Sequence, residues 1–398
     1  MKFSVLLPTR NRLQYLRYAI ETVRRQDYAD WEIIVSDNCS QDDIAGYVAE
    51  LADKRIRYFR TDAFLPVTDN WNNALAQSHG DYVVMLGDDD GLLPGYFSRL
   101  VQTMGSFPQP DFIYVSAYFF AYPGVMPDSP KGFLRRDQNR YFRETTPFWL
   151  DAGRATEIAK GYLDFRMPVA SNMQFSLISR RKIGELSETG PFFQSPYPDF
   201  FATPALFLNS AKILIVPEPL VVIGITPKSY GFFHFNDRAD DGVKFLKNDD
   251  TLLQNTSARS IMLPGTSYND SWLLANEALT ARYAGEHAMR PNYGRYRFLQ
   301  IVHGYKKCYY DRAIESGALR PLRERMTFTE KMVYGMPFSV GFRLLRLAPT
   351  GIRLKIVSRL RNLIGQHSIR ENPDLDPSYQ TLLDVFEALN SRPLQMAD

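Results

Sequence analysis

Tyr82-Val83-Val84-Met85-Leu86-Gly87-Asp88-Asp89-Asp90 decides the reading of this chain. Five apolar residues run straight into three adjacent carboxylates, the pattern of a buried strand that delivers negative charge at its carboxyl end. In an open α/β sheet, ligands bind outside that edge. Like charges in a row repel, so folding alone gives no reason for them. A hard divalent cation does, because Mg²⁺ and Mn²⁺ take oxygen ligands and bridge one or two carboxylates to substrate phosphates. The plain alternative is a solvated acidic turn closed by Gly87 and Gly91, and the flanking sequence has to choose.

Upstream, Phe3 to Leu7 reads as a first buried strand ending at Pro8-Thr9, and Leu13, Leu16, Ile20 and Val23 follow at helical spacing. Trp31 to Val35 is a second strand ending at Ser36-Asp37-Asn38, residues 42–52 read as helix, and Ile56 to Phe59 is a third strand. Asp69 to Ser78 reads as a helix stopped by Gly80. Strand and helix alternate four times in about ninety residues, which predicts βαβ units and a parallel sheet. Right-handed crossovers put the strand ends on one edge, so Thr9, Arg10, Asp37, Asn38 and the acidic run are expected to converge. Downstream the pattern loosens. A helix runs to about Met104, Phe112 to Phe120 is an aromatic strand, and 170–179 and 213–223 are further strands; from about 270 the chain reads as helical.

A chain of 398 residues exceeds the usual single-domain size, and 45% hydrophobic content argues against wholesale disorder. Cys39 and Cys308 give neither a disulfide framework nor a zinc pattern. The apolar run at the start is too short for a signal peptide, and no window offers the roughly 18 apolar residues of a spanning helix. The expectation is a cytoplasmic protein, or one peripheral on the inner face of the plasma membrane. Net charge is only +3, but its distribution is uneven. Between Glu330 and Glu371 there is no acidic residue, while Lys331, Arg343, Arg346, Arg353, Lys355, Arg359, Arg361 and Arg370 are basic. That asymmetry points to an anionic partner surface.

Ser4-Val5-Leu6-Leu7-Pro8-Thr9-Arg10-Asn11-Arg12 resembles the opening of family 2 glycosyltransferases. Glu32-Ile33-Ile34-Val35-Ser36-Asp37-Asn38-Cys39-Ser40 is similar to that family's second-strand motif, in which an Asp contacts the nucleotide base. Asn73, Ala74, Gly80, Asp81 and Tyr82 match the helix and turn before the metal strand, and Leu86-Gly87-Asp88-Asp89-Asp90 with Leu93-Pro94 resembles the metal-binding Asp-x-Asp segment. Most members carry an Asp where this chain has Gly87; here the acidic string begins one residue later. The resemblance implies a GT-A (Rossmann-like), mostly parallel sheet flanked by helices, with a mainly helical C-terminal region. It divides the chain into a catalytic domain over 1–240 (nucleotide-binding half 1–105, acceptor half 106–240) and a region over 241–398. It implies nucleotide contacts from Pro8, Thr9, Arg10, Arg12, Asp37, Asn73 and Asp88, the last toward ribose. It implies metal contacts from Asp89, with Asp90 as supporting ligand or structural cap, and His234 as a third metal or diphosphate contact.

These groups suit the chemistry. A nucleoside diphosphate gains negative charge as it leaves a sugar, and Mn²⁺ or Mg²⁺ across its phosphates stabilises that charge. Asp37 can accept from a base N–H, which favours uracil or thymine and hence a UDP-sugar. An inverting transfer also needs a carboxylate to take the acceptor hydroxyl's proton. The best match is Asp199 in Ser195-Pro196-Tyr197-Pro198-Asp199-Phe200-Phe201, where prolines and aromatics desolvate the acid and raise its pKa. Pro198 stands where the family usually has Glu, and the competing reading makes Asp199 the N-cap of a helix over Phe200–Leu208. Over 338–370, arginines alternate with Phe342, Leu345, Leu347, Ile352 and Ile356, and Pro349 and Gly351 divide the segment into two short helices. An interfacial helix on an anionic membrane and a helical hairpin packed on the catalytic domain both fit. No nucleic-acid motif is present. The reading is a metal-dependent inverting transferase acting on a glycan or lipid-linked acceptor, in bacterial surface polysaccharide synthesis. Its alternatives are a nucleotidyltransferase, or a non-catalytic glycan- or nucleotide-binding protein on the same fold.

Overall fold

The computed structural model describes residues 1–126, 129–137, 141–194, 196–229, 232, 257–287, 289–353, 355–356 and 379–391. Strands β1 (Phe3–Thr9), β2 (Trp31–Asp37), β3 (Ile56–Arg60) and β4 (Tyr82–Met85) form one half of the sheet. They alternate with α1 (Leu13–Arg24), α2 (Ile44–Glu50) and α3 (Val67–Ala76). Next come β5 (Gly91–Leu92), α4 (Tyr96–Ser106), β6 (Phe112–Ala121), β7 (Phe133–Arg136), β8 (Phe148–Leu150) and α5 (Ala152–Leu163). The second half of the sheet closes with β9 (Ser176–Ser179), α6 (Arg180–Ser187), α7 (Pro198–Asn209) and β10 (Ile213–Ile225).

The sheet runs β3-β2-β1-β4-β9-β6-β10-β5, with β7 on β6 and β8 on β10. β1 and β2 are buried throughout, as expected of parallel strands covered on both faces. The pairs β1–β2, β2–β3, β1–β4 and β6–β10 are parallel, as the alternation predicts. The sheet departs from that pattern at β9, which runs antiparallel between β4 and β6. Helix α5 carries the chain back from the amino edge after β8, so β9 enters from the carboxyl edge through the single turn Met173–Phe175.

Helices α8 (Ser267–His287) and α9 (Tyr293–Tyr309) follow. Trp272, Leu273 and Leu279 of α8 and Tyr296 and Leu299 of α9 belong to the same core as the sheet. Asn276 Nδ2 donates to Tyr162 O at 3.0 Å, so α8 is locked to α5 through its backbone. The expected boundary at residue 240 lies outside the described residues. Ile301, Val302 and Tyr305 of α9 form a smaller core with Leu319, Leu322 and Met326. α10 (Met336–Leu347) adds Phe342 and Leu345 to it, so one face of the basic segment is packed protein. The chain is helical again from residue 350, and Arg353 N donates to Pro349 O at 3.0 Å. The break therefore falls at Ala348-Pro349, while Gly351 lies inside the second helix. Proline suits a helix start because its missing N–H is not needed there. Residues 357–370 of this segment lie outside the described residues. Last, α11 (Leu382–Asn390) returns to the N-terminal half and buries Leu382 and Val385 beside Leu93, Tyr122 and Val222. Among the described residues no helix is long and apolar enough to cross a membrane.

Candidate active site

The register places Thr9 of β1 opposite Asp37 of β2 and Leu6 opposite Met85 of β4, so all three strands end at one edge. There Thr9 Oγ1 donates to Asp88 Oδ2 at 2.7 Å. Arg12 bridges the acidic pair, with Nη1 at 2.8 Å from Asp88 Oδ1 and Nη2 at 2.5 Å from Asp89 Oδ2. Arg12 is the residue before α1, where Ser, Thr, Asp or Asn would cap the helix. It makes no cap bond; Asp42 accepts from Leu13 N instead, at 2.9 Å. The position serves the site rather than the helix. Arg12 is buried, with Nε unpartnered. Although burial works against its charge, Asp88 and Asp89 push its pKa up and hold it protonated.

Thr226, just past β10, completes this cluster. Its hydroxyl accepts from Arg12 Nη2 at 2.7 Å and donates to Asp89 Oδ2 at 3.0 Å. Asp90 turns the other way: Oδ1 accepts from Gly224 N at 2.8 Å, and Oδ2 accepts from Gly87 N and Gln174 Nε2. It anchors the acidic loop to β10 and to the turn before β9. Of the two roles weighed for Asp90, its geometry is that of the structural cap. Burial raises the pKa of Asp88 against the pull of Arg12, with Asp89 adding to the rise, and burial likewise raises Asp90.

The other sequence candidates divide. Pro8 lies within buried β1, and Asn73 Nδ2 donates to Ser36 Oγ at 3.0 Å beneath the edge. Arg10 stacks its guanidinium 3.3 Å from the centre of the Phe64 ring. Asp37 is fully buried: Oδ1 accepts from Ser40 N at 2.9 Å, and Oδ2 accepts from Tyr58 Oη at 2.7 Å and Arg60 Nη1 at 3.2 Å. A base N–H would reach that oxygen by displacing Arg60, which is half exposed and holds the longer bond. Asp199 sits in the first turn of α7, with Tyr197 at the cap position, so it does not cap the helix. The residue is half-buried, and burial of its carboxyl pushes the pKa up to about 7. Thr203, one turn on, donates to Ser171 O at 2.8 Å, which joins this face of α7 to the segment leading to Gln174. His234 lies outside the described residues. Thr226, Gly224 and Gln174 were not among the sequence candidates; the available signal was that Thr226 directly follows a strand ending at the shared edge.

Oxygen donors suit a hard cation, and two carboxylates, Asp88 and Asp89, against one guanidinium leave a negative excess. Among the described residues no three His, Cys, Asp or Glu side chains form a metal-holding group. That is compatible with Mg²⁺ or Mn²⁺, which are held by one or two carboxylates and completed by substrate phosphates.

An α/β sheet that gathers carboxylates and a buried arginine beyond its parallel strand ends has the ligand site of an open α/β protein at that edge. The family described as "Glycosyl transferase family 2" matches residues 4–154. The putative colanic acid biosynthesis glycosyl transferase WcaA of Escherichia coli K12 is 32% identical over 253 residues, covering 60% of this chain and 81% of that protein. The chain belongs to glycosyl transferase family 2, a family of sugar-transferring enzymes. The GalNAc(5)-diNAcBac-PP-undecaprenol beta-1,3-glucosyltransferase of Campylobacter jejuni is 44% identical over 104 residues, 25% of this chain and 34% of that enzyme. WfgD of Escherichia coli, named UDP-Glc:alpha-D-GlcNAc-diphosphoundecaprenol beta-1,3-glucosyltransferase, is 30% identical over 87 residues, covering 22% and 34%. The match thus spans about a third of the length of each of these two relatives. Family membership sets aside the nucleotidyltransferase alternative.

Proposed function

We propose that the chain transfers a sugar, with inversion, from a nucleoside-diphosphate donor to a glycan or lipid-linked acceptor in bacterial surface polysaccharide assembly, UDP-sugar being the favoured donor. The observation that carries this reading is the Asp88–Asp89 pair, held at the sheet edge by Thr9, Arg12 and Thr226. Asp88 faces the ribose, and Arg12 supplies a fixed positive charge beside the donor phosphates. Mn²⁺ or Mg²⁺, held by Asp89, would stabilise the charge that builds on the departing diphosphate. Asp199 takes the proton of the acceptor hydroxyl as that oxygen bonds to the anomeric carbon and the bond from that carbon to the diphosphate oxygen breaks. A carboxyl pushed up to about 7 suits this, because a base works best with a pKa near the working pH. Two other carboxylates of the second half are engaged by neighbours: Glu185 pairs with Lys182 at 2.5 Å, and Asp164 accepts from Asn292 Nδ2 at 2.9 Å.

Support for the donor comes from Asp37, whose carboxylate can take a uracil N–H, and from the UDP-Glc in the name of the WfgD relative. Undecaprenol diphosphate in the names of two relatives supports a lipid-linked acceptor. Ranking nucleotides by thermal shift with Mn²⁺ tests the donor. UDP and dTDP should raise the melting temperature above GDP and CMP, and Asp37→Ala should level the series. Equal shifts for all four in the wild type would contradict the assignment of Asp37.

A further inference from the structure

We propose that α10 and the helical segment before it, residues 328–335, form a docking face for an anionic lipid surface. The helix has two apolar sides. Phe342 and Leu345 point into the smaller core. Met336, Val340, Leu344 and Leu347 recur every three or four residues, which at 100° per residue makes one ridge on the opposite side. That ridge is open: Leu344 is 61% and Leu347 83% exposed. Phe328, Met332 and Val333 extend it backward, and Ile352 and Ile356 extend it forward, all exposed. Between α10 and the helical turn after Pro349, on the flank where α10 meets the smaller core, lies an apolar groove of about 420 Å³ lined by Phe338, Phe342 and Leu345 together with Leu344, Ala348 and Ile356. Monomeric proteins seldom leave so continuous an apolar surface without use.

Charge identifies the occupant. Lys331, Arg343, Arg346, Arg353 and Lys355 accompany the ridge, and the sequence holds no acid between Glu330 and Glu371. Glu330 itself is neutralised by Arg297, at 2.6 and 2.7 Å. Arg343 lies 4.3 Å over the Tyr309 ring, so its charge stands at the flank of the ridge. A second copy of this face would set like charge against like charge. A membrane with acidic headgroups matches both features, taking the leucines among its acyl chains and the arginines at its surface. The face begins at Phe328, ten residues before the segment the sequence marked out, and it rests on no assumption about catalysis.

The test is sedimentation of the full chain with vesicles of phosphatidylglycerol and phosphatidylcholine, against vesicles of phosphatidylcholine alone. The protein should sediment with the anionic vesicles and be released by salt. Leu344→Asp with Leu347→Asp should lower partitioning about tenfold or more without changing the melting temperature. Arg346→Gln with Arg353→Gln should lower it about fivefold per charge. The proposal is overturned if the wild type ignores anionic vesicles at low salt, or if the leucine variant sediments unchanged. It is equally overturned if that variant converts a dimer to a monomer, since a second copy then covers the ridge. Loss of melting temperature in the same variant would assign the ridge to a segment of this chain.

Discussion

Asp199 gives the account its clearest residue-scale consequence, because burial moves its carboxyl into the range where pH controls activity. Below about 7 the group is protonated and cannot accept a proton. Transfer rate should therefore rise with pH to near that value and then level off. Asp199→Asn should lower the rate by about two to four orders of magnitude and abolish this pH dependence. The same shift has a stability consequence. A raised carboxyl pKa means that the folded protein holds the proton more tightly than the unfolded chain. This contribution is full below the usual carboxylate range and is lost as pH rises through about 7. Melting curves of Asp199→Asn should accordingly lose part of the decline from acid to neutral pH. An unchanged pH–rate profile in the variant would remove Asp199 from the mechanism. The local signal was readable in sequence, since prolines and aromatics around an acid imply desolvation. That Asp199 lies inside the first turn of α7 was not readable, because Pro198 opens the helix two residues earlier than expected.

At the scale of elements, the acidic loop is shaped by β10 as much as by β4. Gly224 lets the β10 backbone lie directly against the Asp89 carbonyl, and a Cβ there would collide with that oxygen. The Gly224 N–H also anchors Asp90. Gly224→Ala should push the loop away from Thr226, costing about 1–3 kcal/mol of stability and a larger share of turnover. Unchanged melting and unchanged rate together would show that the loop does not depend on this contact. Sequence pattern found β10 as a strand but ended it at Ile223, two residues early. The meaning of Gly224 and Thr226 lies in a contact with residues more than 130 positions away, and periodicity carries no information about such pairings. The first four strands were legible for the opposite reason. They are apolar runs joined by amphipathic helices, and the right-handed crossover fixes where their ends must meet.

For the whole molecule, helices α8 and α9 are built into the catalytic core, and α11 closes on the N-terminal half, where Arg25 reaches Glu387 at 2.9 Å. Sequence could mark these segments as helical but not name their partners, since an apolar stripe states only that something covers it. Cutting the chain at residue 338 would therefore remove core as well as the apolar ridge, and point substitutions on the ridge are the sharper probe. The central claim joins the two halves of the fold: an acidic pair in the loop after β4, clamped by Arg12 and Thr226, serves sugar transfer from a nucleotide donor. The direct test is release of free nucleoside diphosphate from a panel of nucleotide sugars with Mn²⁺, comparing wild type with Asp89→Ala. Release of UDP from at least one UDP-sugar by the wild type, and its loss in Asp89→Ala at unchanged melting temperature, is the predicted result. Full release by Asp89→Ala, or none by the wild type from any donor, would contradict it.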